Sequence, residues 1–132
     1  MNVKLCYKSY PFKMSLQAMR DFKRATGQDL WFTLVNLLEV YFENLDKPVL
    51  TLLKSLYKTV DFDTASHAIH CMIKAEDSSI ELEQIQDAMF RVGWRPVENE
   101  DSEFRQPYPI VLVQMSKAVD EQLADEVKVK KN

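Results

Sequence analysis

At 132 residues the chain has the length of one domain, enough to bury about two-thirds of its unfolded surface. Its 46% apolar and 28% charged content, with only 2 glycines, belongs to an ordered globular protein rather than a disordered one. A net charge of −3 and a pI near 5.4, with no patch of Lys and Arg, argue against a nucleic-acid footprint, and no run approaches the ~18 apolar residues of a membrane span.

The first segment alternates Val3, Leu5 and Tyr7 with Lys4, Cys6 and Lys8, the period of a short strand within residues 1–10. A lone strand leaves amides and carbonyls unpaired, so it needs a hairpin return, a helix cover or another subunit's edge, which makes it a candidate assembly element. Its polar start offers no apolar signal segment, so a cytoplasmic protein with reduced Cys6 and Cys71 is expected.

Ser15 is a good N-cap for a helix with Met14, Ala18, Met19, Phe22 and Ala25 on one side and Gln17, Arg20 and Arg24 on the other. Gly27 stops this helix by taking the left-handed conformation, and Asp29 caps the next. The second helix, about Leu30 to Asn44, is about 22 Å long and places Leu30, Trp31, Leu34, Val35, Leu37, Leu38, Tyr41 and Phe42 on one broad face expected to be buried.

Pro48 suits the first turn of a third helix carrying Val49, Leu50, Leu53, Leu56, Tyr57 and Val60 inward, with Lys54 and Lys58 in solvent. Asp63 or Thr64 is the expected cap of a fourth helix that buries Ala65, Ala68, Ile69, Met72 and Ile73. Ser78 with Glu81 reads as the capping box of a fifth, which buries Leu82, Ile85, Ala88, Met89 and Val92 and stops at Gly93. Residues 95–109 read as a loop, with Pro96, Pro107 and Pro109 around the acidic Glu98, Glu100, Asp101 and Glu103. A final helix from about Ile110 to Val127 aligns Val111, Leu112, Met115, Val119, Leu123 and Val127, ahead of a basic tail over 128–132 expected to fray. The fold expected is therefore all-α: a single-domain bundle of about six helices with a short N-terminal β-strand.

The order from Tyr10-Pro11-Phe12 through Met14 and Ser15 to Thr26-Gly27-x-Asp29-Leu30 resembles the tail assembly chaperones of long-tailed bacteriophages. The resemblance covers the first third of the chain; the later helices match in length and order only. It implies a non-enzymatic chaperone that coats the tape measure protein, recruits major tail tube subunits and self-associates into an oligomer or spiral. It also implies residence in the cytoplasm of the infected bacterial host and absence from the mature virion. Family members are often made in two lengths by a programmed ribosomal slip. Here the adenine-rich codons of Lys130-Lys131-Asn132 suit a slippery heptamer, which the nucleotide sequence would reveal.

Candidate chemistry is thin. His67, His70 and Cys71 lie three and four residues apart on the fourth helix, but Lys74 shares their polar face and no second ligand pair accompanies them, so no metal site is expected. Asp61-Phe62-Asp63 begins like a calcium loop, yet Ala65 takes the third ligand position and no glycine follows. With Gly27 and Gly93 alone there is no phosphate-cradling loop, and no Ser/His/Asp arrangement stands out. No enzymatic activity and no cofactor are expected.

Phe32 and Val40 project opposite the core stripe of the second helix, as Phe90 does on the fifth. They are either a second buried side or a contact surface, and Trp94 has the same two readings. Together with Val3, Leu5 and Tyr7 of the strand, these residues are the expected partner contacts. From another class, a small helical adaptor or regulatory protein docking through a helix pair is the alternative; a DNA reader would need a basic recognition helix, and no helix is distinctly basic.

Overall fold

The computed structural model describes residues 1–96 and 102–131, with side chains described through Val127. The order is β1 (Asn2–Leu5), β2 (Lys8–Pro11), α1 (Leu16–Thr26), α2 (Leu30–Glu43), α3 (Val49–Thr59), α4 (Phe62–Lys74), α5 (Leu82–Val92) and α6 (Tyr108–Lys131). The all-helical expectation holds, with six helices among the described residues. Glu98, Glu100 and Asp101 of the expected acidic loop, Asn132, and the side chains of Lys128, Lys130 and Lys131 lie outside the described residues.

The N-terminal strand is not alone, which corrects the sequence reading. β1 pairs antiparallel with β2, Val3 opposite Tyr10 and Leu5 opposite Lys8, and the chain reverses at Cys6 and Tyr7, whose φ angles are 47° and 65°. Two positive φ values in succession are what a tight two-residue hairpin needs. The register turns Val3, Leu5 and Tyr10 inward. Three backbone bonds fasten this hairpin: Cys6 N–H donates to Phe104 O (2.8 Å), Phe12 N–H to Met1 O (2.9 Å) and Lys13 N–H to Met72 O (3.1 Å).

The α1–α2 junction forms as its residues dictate. Ser15 Oγ accepts from Ala18 N–H at 3.0 Å, Gly27 sits at φ 74° with its N–H on Lys23 O, and Asp29 Oδ1 accepts from Phe32 N–H at 2.8 Å. Later caps move by a few residues. Pro48 is the N-cap of α3 rather than a member of its first turn. Asp61, not Asp63 or Thr64, caps α4 by accepting from Thr64 N–H at 2.7 Å. Asp77 accepts from both the N–H and the hydroxyl of Ser79, which tightens the turn and leaves Glu81 rather than Ser78 at the start of α5, its N–H on Gln84 Oε1 at 3.3 Å. α6 begins at Tyr108 because Pro107 O accepts from Ile110 and Val111, and Pro109 is tolerated in a first turn. Its backbone stays helical to Lys131.

α4 is the axis of the molecule. It buries Ala65, Ser66, Ala68, Ile69, Cys71, Met72 and Ile73 and packs against α1, α5 and α6. One cluster links this helix with Leu5, Phe12, Phe22, Leu30, Leu37, Leu56, Ile85, Met89 and Leu112, so the hairpin and all six helices share a core. Buried polar groups are paired: Ser66 Oγ donates to Asp63 O (2.7 Å), Ser116 Oγ to Leu112 O (2.7 Å) and the Tyr108 hydroxyl to Val60 O (3.0 Å). No helix of the described residues is long and apolar enough to cross a membrane.

Candidate functional site

Thr33, Asn36, Glu39 and Glu43 are the only polar residues of α2, so this helix has more apolar surface than one core can cover. At 3.6 residues per turn its apolar residues fall into two stripes. Leu30, Leu34 and Leu37, with Thr33, face the core and are buried. Trp31, Val35, Leu38 and Phe42 recur at steps of four, three and four residues and lie about a quarter-turn or more away. Trp31 is 50% exposed, Val35 62% and Phe42 56%, while Leu38 is half-buried. The single broad buried face read from the sequence is thus corrected: Trp31, Val35 and Phe42 belong to an open surface.

α6 supplies the second wall. Trp31, Leu34, Val35 and Leu38 of α2, with Ser116, Val119, Asp120 and Leu123 of α6, line a groove of about 200 Å³. At the Phe42 end the Lys117 ammonium lies 4.5 Å from the Tyr41 ring centre and 5.6 Å from that of Phe42. This pairing lets a lysine cover aromatic faces without losing contact with water. The two helices therefore run antiparallel along the groove, Phe42 near Lys117 and Trp31 toward Leu123.

A second apolar surface forms where α5 ends. Phe90, 79% exposed, and Trp94, 65% exposed, border a hollow of about 370 Å³ with Tyr57, Phe62, Met89 and Tyr108. The Tyr57 hydroxyl donates to Trp94 O at 2.8 Å, holding the residue after the Gly93 stop, and the Arg95 guanidinium lies 5.3 Å from the Trp94 ring.

The sequence-expected contacts divide accordingly. Phe32, Phe90 and Trp94 are exposed, but Val40 is half-buried and packs against the core. Val3 and Leu5 are core residues and are unavailable to a partner while the hairpin is folded. Tyr7 is exposed at the hairpin tip and stacks on Phe104, ring centres 6.1 Å apart, beside the Lys4–Glu103 ion pair at 2.6 Å. Trp31, Val35 and Phe42 were missed as surface residues; the signal present in the sequence was their four-three-four spacing, distinct from the Leu30/Leu34/Leu37 stripe.

His67 and His70 do not form a solvated face. They are half-buried in a shallow hollow shared with Asp21 and Arg24 of α1, Cys71 and Lys74. His70 Nε2 lies 3.0 Å from Ile80 O, so one ring nitrogen is already held by the backbone. Cys71 is buried, and that burial, with Asp21 adding and Lys74 opposing, pushes its thiol up to about 11. Among the described residues no three His, Cys, Asp or Glu side chains come together as a metal-ligand set. Comparison with protein-family models, curated proteins and solved structures finds no match to this chain.

Proposed function

We propose that this chain is a non-enzymatic assembly chaperone of a phage tail, which keeps the tape measure protein soluble and gathers tail tube subunits around it. The observation that supports this reading most is the open stripe on α2. Burying each such side chain is worth about 1.5–3 kcal/mol, so three of them left exposed on one helix fit a surface built for another protein.

A chaperone that joins two partners needs two surfaces, and the Phe90/Trp94 hollow on a different helix supports a second one. Its Trp and Phe side chains are large, rigid anchors of the type that dominates protein interfaces. Weak contacts of this kind, multiplied along a repetitive partner, bind firmly while each stays reversible. Self-association along the tape measure, action in the infected cell and release before the virion matures belong to the same reading. The residues that carry the family resemblance act within the fold: Tyr10, Phe12, Met14 and Leu30 are buried, while Ser15 and Asp29 cap helix starts and Gly27 caps a helix end.

The test is co-expression with candidate tape measure and tail tube proteins, followed by pull-down, with light scattering of the chain alone. Soluble tape measure protein recovered in complex is the expected outcome. A chain that rescues neither partner overturns the chaperone role and leaves an adaptor.

A further inference from the structure

A two-stranded hairpin has two outer edges, and its register shows which backbone groups each one presents. Phe12 N–H donates to Met1 O, and bonded pairs alternate with unbonded ones along an antiparallel ladder, so Val3–Tyr10 and Leu5–Lys8 are bonded pairs of this hairpin. The amides and carbonyls of Asn2 and Lys4 therefore point away from β2, along the outer edge of β1. Cys6 comes next in that outward row, and its N–H is met at 2.8 Å by Phe104 O. Among the described residues the backbones of Asn2 and Lys4 have no such partner.

A cleft of about 420 Å³ runs beside these two residues, bounded by Glu103 and Gln106 of the segment before α6 and by Gln114 of α6. Phe12, Met115 and Ala118 also line it. Phe12 and Met115 are each only 1% exposed, so the floor of the cleft is the core itself. Lys4 and Glu103 are paired with each other, and the rim calls for no charge.

An open row of amides and carbonyls above an apolar floor suits an added strand, whose backbone bonds to the edge while its side chains alternate between floor and solvent. A second copy meets only the first of these conditions. Its own β1 has Val3 and Leu5 buried in its own core and carries Asn2 and Lys4 on the other face, which leaves no apolar side chain for the floor. We infer that this cleft takes a single extended segment of a partner protein as a third strand beside β1. Three residues of strand, about 10 Å, pass the edge, the middle one setting an apolar side chain on Phe12, Met115 and Ala118. Its neighbours face solvent, and proline is excluded wherever an amide must bond. The site is separate from the α2–α6 groove and the Phe90/Trp94 hollow and stands whether or not those surfaces serve a chaperone.

The probe is a short capped peptide, Lys-Thr-Val-Thr-Lys, titrated into isotope-labelled protein and followed by amide NMR. The Asn2 and Lys4 amide resonances should move downfield. Antiparallel pairing bonds both Thr amides and turns the Val amide away. Methylating the two Thr nitrogens should then weaken binding at least roughly tenfold, and methylating the Val nitrogen less than about twofold. Parallel pairing gives the reverse, so the methylation pattern also reports the direction of the strand. Lys4→Pro removes an outward N–H and none of the hairpin's own bonds; it should abolish binding with unchanged helical circular dichroism. Ala118→Leu, which fills the floor, should weaken binding about tenfold. Unmoved Asn2 and Lys4 resonances, equal effects of the two methylations, or binding that survives both variants overturns the inference. So does sedimentation showing a dimer that Lys4→Pro dissociates, which makes the occupant a second copy.

Discussion

Cys71 shows how a single side chain records its position in the fold. Its thiol, ordinarily near 9.0, is pushed up to about 11 by burial. Between those values the unfolded chain has lost a proton that the folded chain retains, so stability is full below pH 9 and falls as pH rises toward 11. Burial likewise pushes the Tyr108 hydroxyl from 10.0 up to about 12, with Tyr57 and Asp61 adding to the effect. Urea unfolding followed against pH should therefore weaken from about pH 9, and in Cys71→Ala the decline should begin nearer pH 10. Gly27 makes a different residue-scale case. A Cβ there would meet nothing within 4 Å, so the cost of Gly27→Ala is the left-handed backbone alone, about 1–2 kcal/mol in chemical denaturation. Both Gly27 and its neighbouring caps were legible in the sequence, because a cap is a contact between residues two to four apart.

At the scale of the element, α2 decides how the surface is read. Leu34 and Val35 are adjacent in sequence and both apolar, yet Leu34 is buried and Val35 is largely open. Leu34→Ala should cost about 2–5 kcal/mol, through lost transfer energy and the cavity left behind. Val35→Ala should change stability by less than about 0.5 kcal/mol. Thermal or denaturant melts of the two variants check this directly, and similar losses would mean that both stripes are core. Periodicity identified α2 as a helix but not which apolar stripe turns inward, since Trp31, Val35 and Phe42 match a 3.6-residue period as well as Leu30, Leu34 and Leu37 do. The hairpin was illegible for a related reason. Its turn uses Cys6 and Tyr7 at positive φ where Asn-Gly would have signalled it, so β1 and β2 read as one alternating segment.

Across the whole molecule, a few long-range bonds set how the elements meet. The Tyr108 hydroxyl reaches Val60 O, joining the start of α6 to the end of α3, and the Tyr108 ring packs edge-on against Tyr57 and Phe62. Tyr108→Phe keeps the rings and removes the donor, leaving a buried carbonyl unpaired. A loss of about 1–3 kcal/mol is expected in equilibrium unfolding. The Lys4–Glu103 pair is exposed and short, but two mobile side chains in water contribute little, so Lys4→Ala should shift the unfolding free energy by less than about 1 kcal/mol. The hairpin is held instead by Val3 and Leu5 in the common core.

The sequence by itself determined the helical class, the order of the six helices and the caps at Ser15, Gly27 and Asp29, because these follow from periodicity and from contacts within a few residues. It also carried every residue of the open stripe, in recognisable spacing. Only the tertiary structure decided that Val3 and Leu5 are core, that His67 and His70 face α1, and that Trp31, Val35 and Phe42 border a groove with α6. Those outcomes depend on which faces meet across the chain, and burial is a property of the packed neighbours rather than of the residue.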